Sequence, residues 1–403
     1  MPPAASCLRP VLVPVLVASL AASAQVQIGG KSPYRPSDLL TRTAFDHFYN
    51  MEFDRSVEEF QRVANHYPDD PFAVNHLLTA VLFRELYRMG ALNSADYASN
   101  NFLTAPHRNA DPKVREQVKY LVNRALALEH SRLERNPKDV DALYARGVTR
   151  SQFAIYTALI EHAWISALRN AVGARRDHEK VLELAPNYVD AKLVVGAHSY
   201  VVGSLPWGVK VASSLVGIGG NKRKGLTFLQ DAAAGGGEAS VDAKVVLVVF
   251  LRRERRLEEA LGLDRDLVAR FPQSSLLKLE QANILRDQGK RDAAIAVYRE
   301  IWQAGHNGHY PGQHYESAAI AWGDLLRAEK DYAGAAAAYE LVNQVTQPNP
   351  ELQQKASLSA GQMYDLLQNR EQAVKKYQQV IALKADNAPA DSARRFLKTA
   401  YRE

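Results

Sequence analysis

Apolar residues recur every three or four positions along most of the chain from residue 37 onward, the spacing of amphipathic helices. The clearest run is Leu257, Ala260, Leu261, Leu263, Leu267 and Val268. Phe271-Pro272 ends it, because proline cannot continue a helix and restricts the residue before it. The next stretch runs from Leu276 to Gln288, turns at Gly289-Lys290 and resumes through Ala294, Tyr298 and Ile301. Asn136-Pro137, Pro186-Asn187 and Asn349-Pro350 punctuate other runs in the same way. The pattern predicts an all-α chain of paired helices joined by short turns.

The pairs repeat. Ala282, Leu285, Ala294 and Tyr298 return as Gly323, Leu326, Ala335 and Tyr339, and again as Gly361, Tyr364, Ala373 and Tyr377. Leu251, Ala260 and Pro272 fit part of the same series, with Val248 at the small position and Asp264 at the aromatic one. This set resembles the tetratricopeptide repeat, a unit of about 34 residues. In that family a small residue stands at position 8, a large one at 11, Ala at 20, an aromatic at 24 and Pro at 32. Looser matches precede it: Ser56, Phe60, Val63 and Pro68; Ala125 and Pro137; Gly147, Ala174 and Pro186, whose wide spacing predicts long helices; and Gly196 within a helix from Tyr188 to Gly203. The resemblance implies a right-handed α–α superhelix, a solenoid of about seven or eight helix pairs, with a capping helix from Ala388 to Tyr401 covering the last apolar face. Repeats are loose over 37–240 and clear over 241–403. Leu92 to Pro112, without a clear period, reads as a long loop.

The N-terminus changes the expected location. Arg9 is the one charge before Lys31; the apolar run Val11 to Ala22 follows, then Ala22-Ser23-Ala24. Small residues at −3 and −1 fit cleavage before Gln25, so 1–24 reads as a signal peptide and 25–36 as a flexible start of the mature chain. Cys7, the single cysteine of 403 residues, precedes the apolar run and would leave with the leader. The expected setting is the periplasm or the cell envelope, with no disulfide and no thiolate metal site. Composition is globular, 47% hydrophobic and 23% charged, and the net charge of +6 does not call for nucleic acid.

Residues 193–225 depart from the repeat. Val194, Val195, Val201, Val202, Leu205, Trp207, Val209, Val211, Leu215, Val216 and Ile218 are apolar, and Lys210 is the one full charge among them. Gly217-Ile218-Gly219-Gly220 then meets Lys222, Arg223 and Lys224. Three readings fit: a buried pair inside the array, a membrane-contacting or partner-docking hairpin through 193–219, or an anion-binding loop whose cations are Lys222, Arg223 and Lys224. No strand precedes the glycines and no Gly-Lys-Ser/Thr follows them, so a P-loop is not indicated. Over about residues 190–275 the chain also resembles, more faintly, a eukaryotic tetratricopeptide family of inclusion-body clearance and the mitochondrial outer membrane. The shared elements are Ser204-Leu205-Pro206, Val216 to Gly220 and Gly225-Leu226; they imply a shared fold variant.

Catalytic chemistry is not indicated. His178-Glu179 lacks the second histidine of a zincin helix, and no Gly-x-Ser-x-Gly elbow occurs. His306, His309 and His314 share one insertion, with Tyr310 and Glu316 nearby, but loop histidines are usually solvated. No cofactor and no metal are expected. One constellation points to binding. Arg252, Arg286 and Arg327 occupy position 12 of consecutive repeats, where the resemblance places the concave face. Asn283, Asp324 and Gln362 stand at position 9, able to bond a peptide backbone; Asp365 breaks the arginine series. Val245, Leu279, Ile320 and Leu358 would floor the groove. The expected function is a non-enzymatic scaffold or adaptor that binds an acidic or extended protein segment, with a small-molecule or anion site, or membrane contact, in 193–225 as the alternative.

Overall fold

Residues 39–92, 110–204 and 219–403 are described in the computed structural model of the chain, and among them all regular structure is helical. The signal peptide, the flexible start and nearly all of the 92–112 loop lie outside those residues. The chain divides after Phe271 into two units. The first holds five helix pairs: α1 (Leu39–Tyr49) with α2 (Phe53–His66), α3 (Pro71–Arg88) with α4 (Pro112–Arg135), α5 (Val140–Leu159) with α6 (Trp164–Leu184), α7 (Lys192–Gly203) with α8 (Lys222–Ala234), and α9 (Ser240–Arg253) with α10 (Leu257–Arg270). The second holds three pairs and a cap: α11 (Ser275–Asp287) with α12 (Arg291–His306), α13 (Glu316–Ala328) with α14 (Tyr332–Glu340), α15 (Pro350–Leu366) with α16 (Arg370–Leu383), then α17 (Ala388–Lys398). The expected long helices are α5 and α6, of 20 and 21 residues.

Short polar side chains start many helices by accepting from backbone N–H groups that have no partner in the first turn. Asp70, Asp111 and Asn349 cap α3, α4 and α15, each followed by proline at the first helical position, where a missing N–H costs nothing. Asp139 and Asn387 cap α5 and α17. The cap helix is shorter than expected. It ends at Lys398, and Tyr401 belongs to a non-helical tail.

The turn inside each pair reverses the chain through one residue of positive φ: Met51, Gly90, His162, Arg255, Gly289, Lys330 and Gln368 in the described turns. Only two of these are glycine, the residue that adopts this region without steric cost. Lys330 is exposed at φ 63°. Lys330→Gly is therefore expected to stabilise the second unit by about 0.5–1 kcal/mol, read as a rise in the urea midpoint at constant slope.

Packing within a pair depends on the small residue at position 8. A Cβ added to Gly323 would lie 2.5 Å from Tyr339 Cε1, and one added to Gly361 would lie 2.6 Å from Tyr377 Cε1. The tyrosine ring of the second helix thus lies flat on the backbone of the first. Tyr298, Tyr339 and Tyr377 are all fully buried. In α5 and α6 the ring at this place is His178, against Gly147. The approach is closest between α7 and α8, where backbone meets backbone. A Cβ on Gly225 would lie 2.5 Å from Tyr200 N and 2.7 Å from Gly196 O, and one on Gly203 would lie 2.5 Å from Lys222 N. Gly196, Gly203, Gly220 and Gly225 therefore serve helix crossing, and the apolar residues of α7 are buried, while Gly219 has open space beside it and Arg223 and Lys224 are exposed. No helix among the described residues is long and apolar enough to cross a membrane.

In an ordinary array each pair touches only its neighbours. The first unit departs from this. Tyr49 at the end of α1 donates from its hydroxyl to Asp242 Oδ1 in α9, 2.8 Å away and 193 residues on, and its ring packs against Phe271 at 4.9 Å. The first pair therefore closes onto the fifth.

Candidate functional site

Arg327 extends from the last turn of α13 and meets the tail that follows α17. Its Nη2 donates to Tyr401 Oη (2.7 Å), its Nε to Glu403 Oε1 (3.2 Å) and its Nη1 to Gln362 Oε1 (3.1 Å). The guanidinium also lies over the Tyr401 ring, 5.5 Å from its centroid. Tyr332 Oη donates to Glu403 Oε2 (3.0 Å), and the backbone N–H of Tyr401 donates to Asp365 Oδ2 (2.7 Å). Arg370 pairs with Asp365 and donates to the carbonyls of Phe396 and Leu397, fixing the end of α17 beside this point. An extended segment is thus held by its carboxylate, its phenol and its main chain, on residues of α13, α14 and α15. Asp365, which interrupts the arginine series in sequence, is the group that takes the main-chain N–H.

The other two arginines of that series are placed differently. Arg286 bonds the adjacent Asp287 at 2.9 Å, and Arg252 is buried in the first unit. Of the position-9 groups, Gln362 accepts from Arg327 of another pair, while Asn283 and Asp324 are engaged inside their own. Tyr298 Oη donates to Asn283 Oδ1 (2.8 Å) and Tyr339 Oη donates to Asp324 Oδ1 (2.7 Å). Tyr377 Oη finds Asp365 Oδ2 at 2.8 Å. A buried phenol needs an acceptor, and position 9 or 12 of the partner helix supplies it. The sequence carried this signal: where Asp264 replaces the aromatic, position 9 is Val249. Leu279 and Ile320 lie in the core, while Val245 and Leu358 are half-buried.

Two of the three cations at the start of α8 are also occupied. Lys222 pairs with Glu254 at 2.5 Å and lies over the Tyr200 ring, and Lys224 lies over Phe228. Asn221 caps this helix by accepting from Lys224 N at 2.9 Å. Arg223 is exposed. The histidines at 306–314 are dispersed: His306 stacks on Trp302, His309 meets Tyr310 edge-on, and His314 faces Glu316 at 3.4 Å. Among the described residues no group of three or more histidines and carboxylates is placed to hold a metal ion.

The first unit contains a polar centre that periodicity did not reveal. Asp190 precedes α7, Glu238 precedes α9 and Asp242 lies in its first turn. Asp190 accepts backbone hydrogen bonds from Glu238 and Ala239. Tyr49 is bonded to Asp242, and His76 Nε2 of α3 faces Glu238 Oε1 at 3.3 Å. The rings of Tyr144 and Tyr188 stack at 4.7 Å, fully buried beside these acids. Burial first, then the charges of Asp190 and Asp242, holds Glu238 well above the usual carboxylate range; burial and Asp190 hold Asp242 there against the Tyr49 hydrogen bond, and burial raises Asp190 to about 6. Burial lowers His76 to about 3, which keeps its ring neutral.

A second buried acid lies apart from this centre. Glu129 of α4, fully buried, has Oε1 2.6 Å from Thr149 Oγ1, which is 2.7 Å from Asn75 Oδ1. One threonine proton cannot serve both acceptors. Burial raises Glu129 to about 8, and in its protonated form the carboxyl would supply the second proton.

No family model matches the sequence, and no curated protein matches it. Among solved structures the chain is similar to Pseudomonas aeruginosa PilF, at 16% identity over 61% of this chain and 98% of that one, with a TM-score of 0.35. It is also similar to the human IFIT1 dimer with m7Gppp-AAAA, at 12% identity over 98% and 87% of the two chains and a TM-score of 0.41. YrrB, a TPR protein with an unusual peptide-binding site, follows at 15% identity over 66% and 97%, with a TM-score of 0.30. At these identities and scores the likeness carries no argument of its own, and the architecture rests on the chain's own helices, which among the described residues form an all-α array of pairs.

Proposed function

We propose that the chain is a non-enzymatic interaction scaffold whose second unit captures an extended segment of another protein carrying an aromatic and an acidic side chain. The observation that supports this is the tail, Tyr401 to Glu403, seated on Arg327, Tyr332 and Asp365. Guanidinium–carboxylate and guanidinium–phenol contacts, with a main-chain bond beside them, suit an extended peptide. The tail would then hold the place of the partner segment and compete with it. The setting belongs to the same reading: the leader-like residues 1–24 favour the periplasm or the cell envelope.

A chain shortened after Thr399 is expected to bind a labelled peptide of residues 396–403 in fluorescence anisotropy, and the full chain at least about tenfold more weakly. Arg327→Glu should remove binding by the shortened chain. If the shortened chain binds no better than the full one, the reading fails. Fractionation that left the protein in the cytoplasm would remove the envelope setting alone.

A further inference from the structure

The polar centre of the first unit gathers buried polar atoms that have no hydrogen-bond partner. Its buried atoms without a hydrogen-bond partner are Asp190 Oδ1, both oxygens of Glu238, Asp242 Oδ2 and the hydroxyls of Tyr144 and Tyr188. Two of these are phenols, on residues with 0% and 1% exposure, so the observation does not rest on the carboxylates alone. A buried polar atom without a partner costs about 1–3 kcal/mol, so a cluster of them at one place needs a reason.

The charged and titratable surroundings define what would satisfy it. The strongest charges acting on Glu238 are Asp190 and Asp242, and Asp190 acts in turn on Asp242. His76 is neutral and faces Glu238. Arg270 bears on Tyr49, and Arg132 and Asp141 bear on Tyr188, at the edges of the group. The walls are aromatic: Phe45 packs against Tyr49 and His76, Phe60 against His76, and Phe72 against Tyr144. A ligand here must bring positive charge and several N–H donors, and must tolerate ring faces. An alkylammonium group does all three, by charge-assisted hydrogen bonds and cation–π contact. A bare metal ion does not fit, since no three of these ligands are placed to hold one.

We propose that this centre is a binding site for a small organic ammonium ion, held by Asp190, Glu238 and Asp242 and by the hydroxyls of Tyr144 and Tyr188. The exposed loop Gly235-Gly236 lies beside it, where Gly236 has φ 66° and Glu238 keeps 13% of its side chain exposed. The loop's next residue, Gly237, has no room for a Cβ, which would lie 2.1 Å from Asp190 Oδ1. A cation beside Glu238 and Asp242 favours their ionised forms, so protons that burial holds on these two acids are released on binding. The site is independent of the tail groove of the second unit.

Putrescine is the probe. At millimolar concentration it is expected to raise the melting temperature of the full chain by several degrees beyond sodium chloride of equal ionic strength. Calorimetric heats should differ between phosphate and Tris buffers by the ionisation heat of the released protons. Glu238→Gln and Asp242→Asn, which keep shape and relieve buried charge, should fold and lose both signals. Tyr188→Phe should weaken binding about tenfold. The proposal is overturned if putrescine acts no more strongly than salt, if it acts equally on Glu238→Gln, or if magnesium reproduces the effect.

Discussion

A chain carrying Gly225→Leu is expected to lose the α7–α8 pair and to unfold in its first unit at least about 4 kcal/mol more easily than the parent. The size follows from what the new side chain meets. At Gly173 an added carbon would meet only the flexible side chain of Arg150. At Gly225 it meets Tyr200 N, Tyr200 Cα and Gly196 O, which are backbone atoms in the middle of a helix. They move only if the helices separate, and Leu193, Tyr200 and Leu229 then lose their burial together. Gly225→Ala should cost about half as much. Gly262 is the control, because nothing lies within 4 Å of an added Cβ in α10. Gly262→Ala should stabilise by about 0.5–1 kcal/mol. Urea unfolding of the three variants reads all of this; equal effects at 225 and 262 would refute the close crossing.

Glu129→Gln is expected to stabilise the first unit at pH 8 by about 3 kcal/mol and to leave it nearly unchanged at pH 4. The sign follows from the raised acid. Below the ordinary value of 4.5 both folded and unfolded chains carry the proton, and the parent loses nothing. As pH rises from 4.5 toward about 8 the unfolded chain ionises while the folded one does not, so stability drains away. Glutamine does not titrate and still donates to Thr149 or Asn75. His76, His178 and His198, all lowered by burial, push the parent's profile the opposite way, toward loss in acid. The difference between variant and parent removes their contribution. Chemical denaturation at pH 4, 6 and 8 should show the gap widening with pH; a constant gap would mean that Glu129 is ionised when folded.

Much of this fold was legible from spacing. Gly323 with Tyr339 and Gly361 with Tyr377 are nearest neighbours in a repeating series, so the same contact announces itself more than once. The Gly196–Gly225 crossing was half legible: glycines in an apolar stretch signal close approach, but so do an anion loop and a hairpin. The polar centre was not legible. Its members come from α1, α3, α5 and the starts of α7 and α9, and each looks locally like a capping acid or a core tyrosine. Only the closure of the first pair onto the fifth brings Tyr49 to Asp242. The tail contact was hidden for the same reason, since Arg327 and Glu403 stand 76 residues apart. The arginine series named one residue that holds the tail and two that serve their own surroundings.

The contact between Tyr49 and Asp242 also bears on how such a chain can change over generations. Arrays of this kind ordinarily grow and shrink by whole repeats, because a new unit needs only a neighbour on each side. Here the count is fixed. Insert or delete one pair between α2 and α9 and Tyr49 no longer reaches Asp242, nor Phe271 the Tyr49 ring. Duplication of a whole pair, the usual source of new repeat proteins, would therefore cost the first unit the contact that closes it.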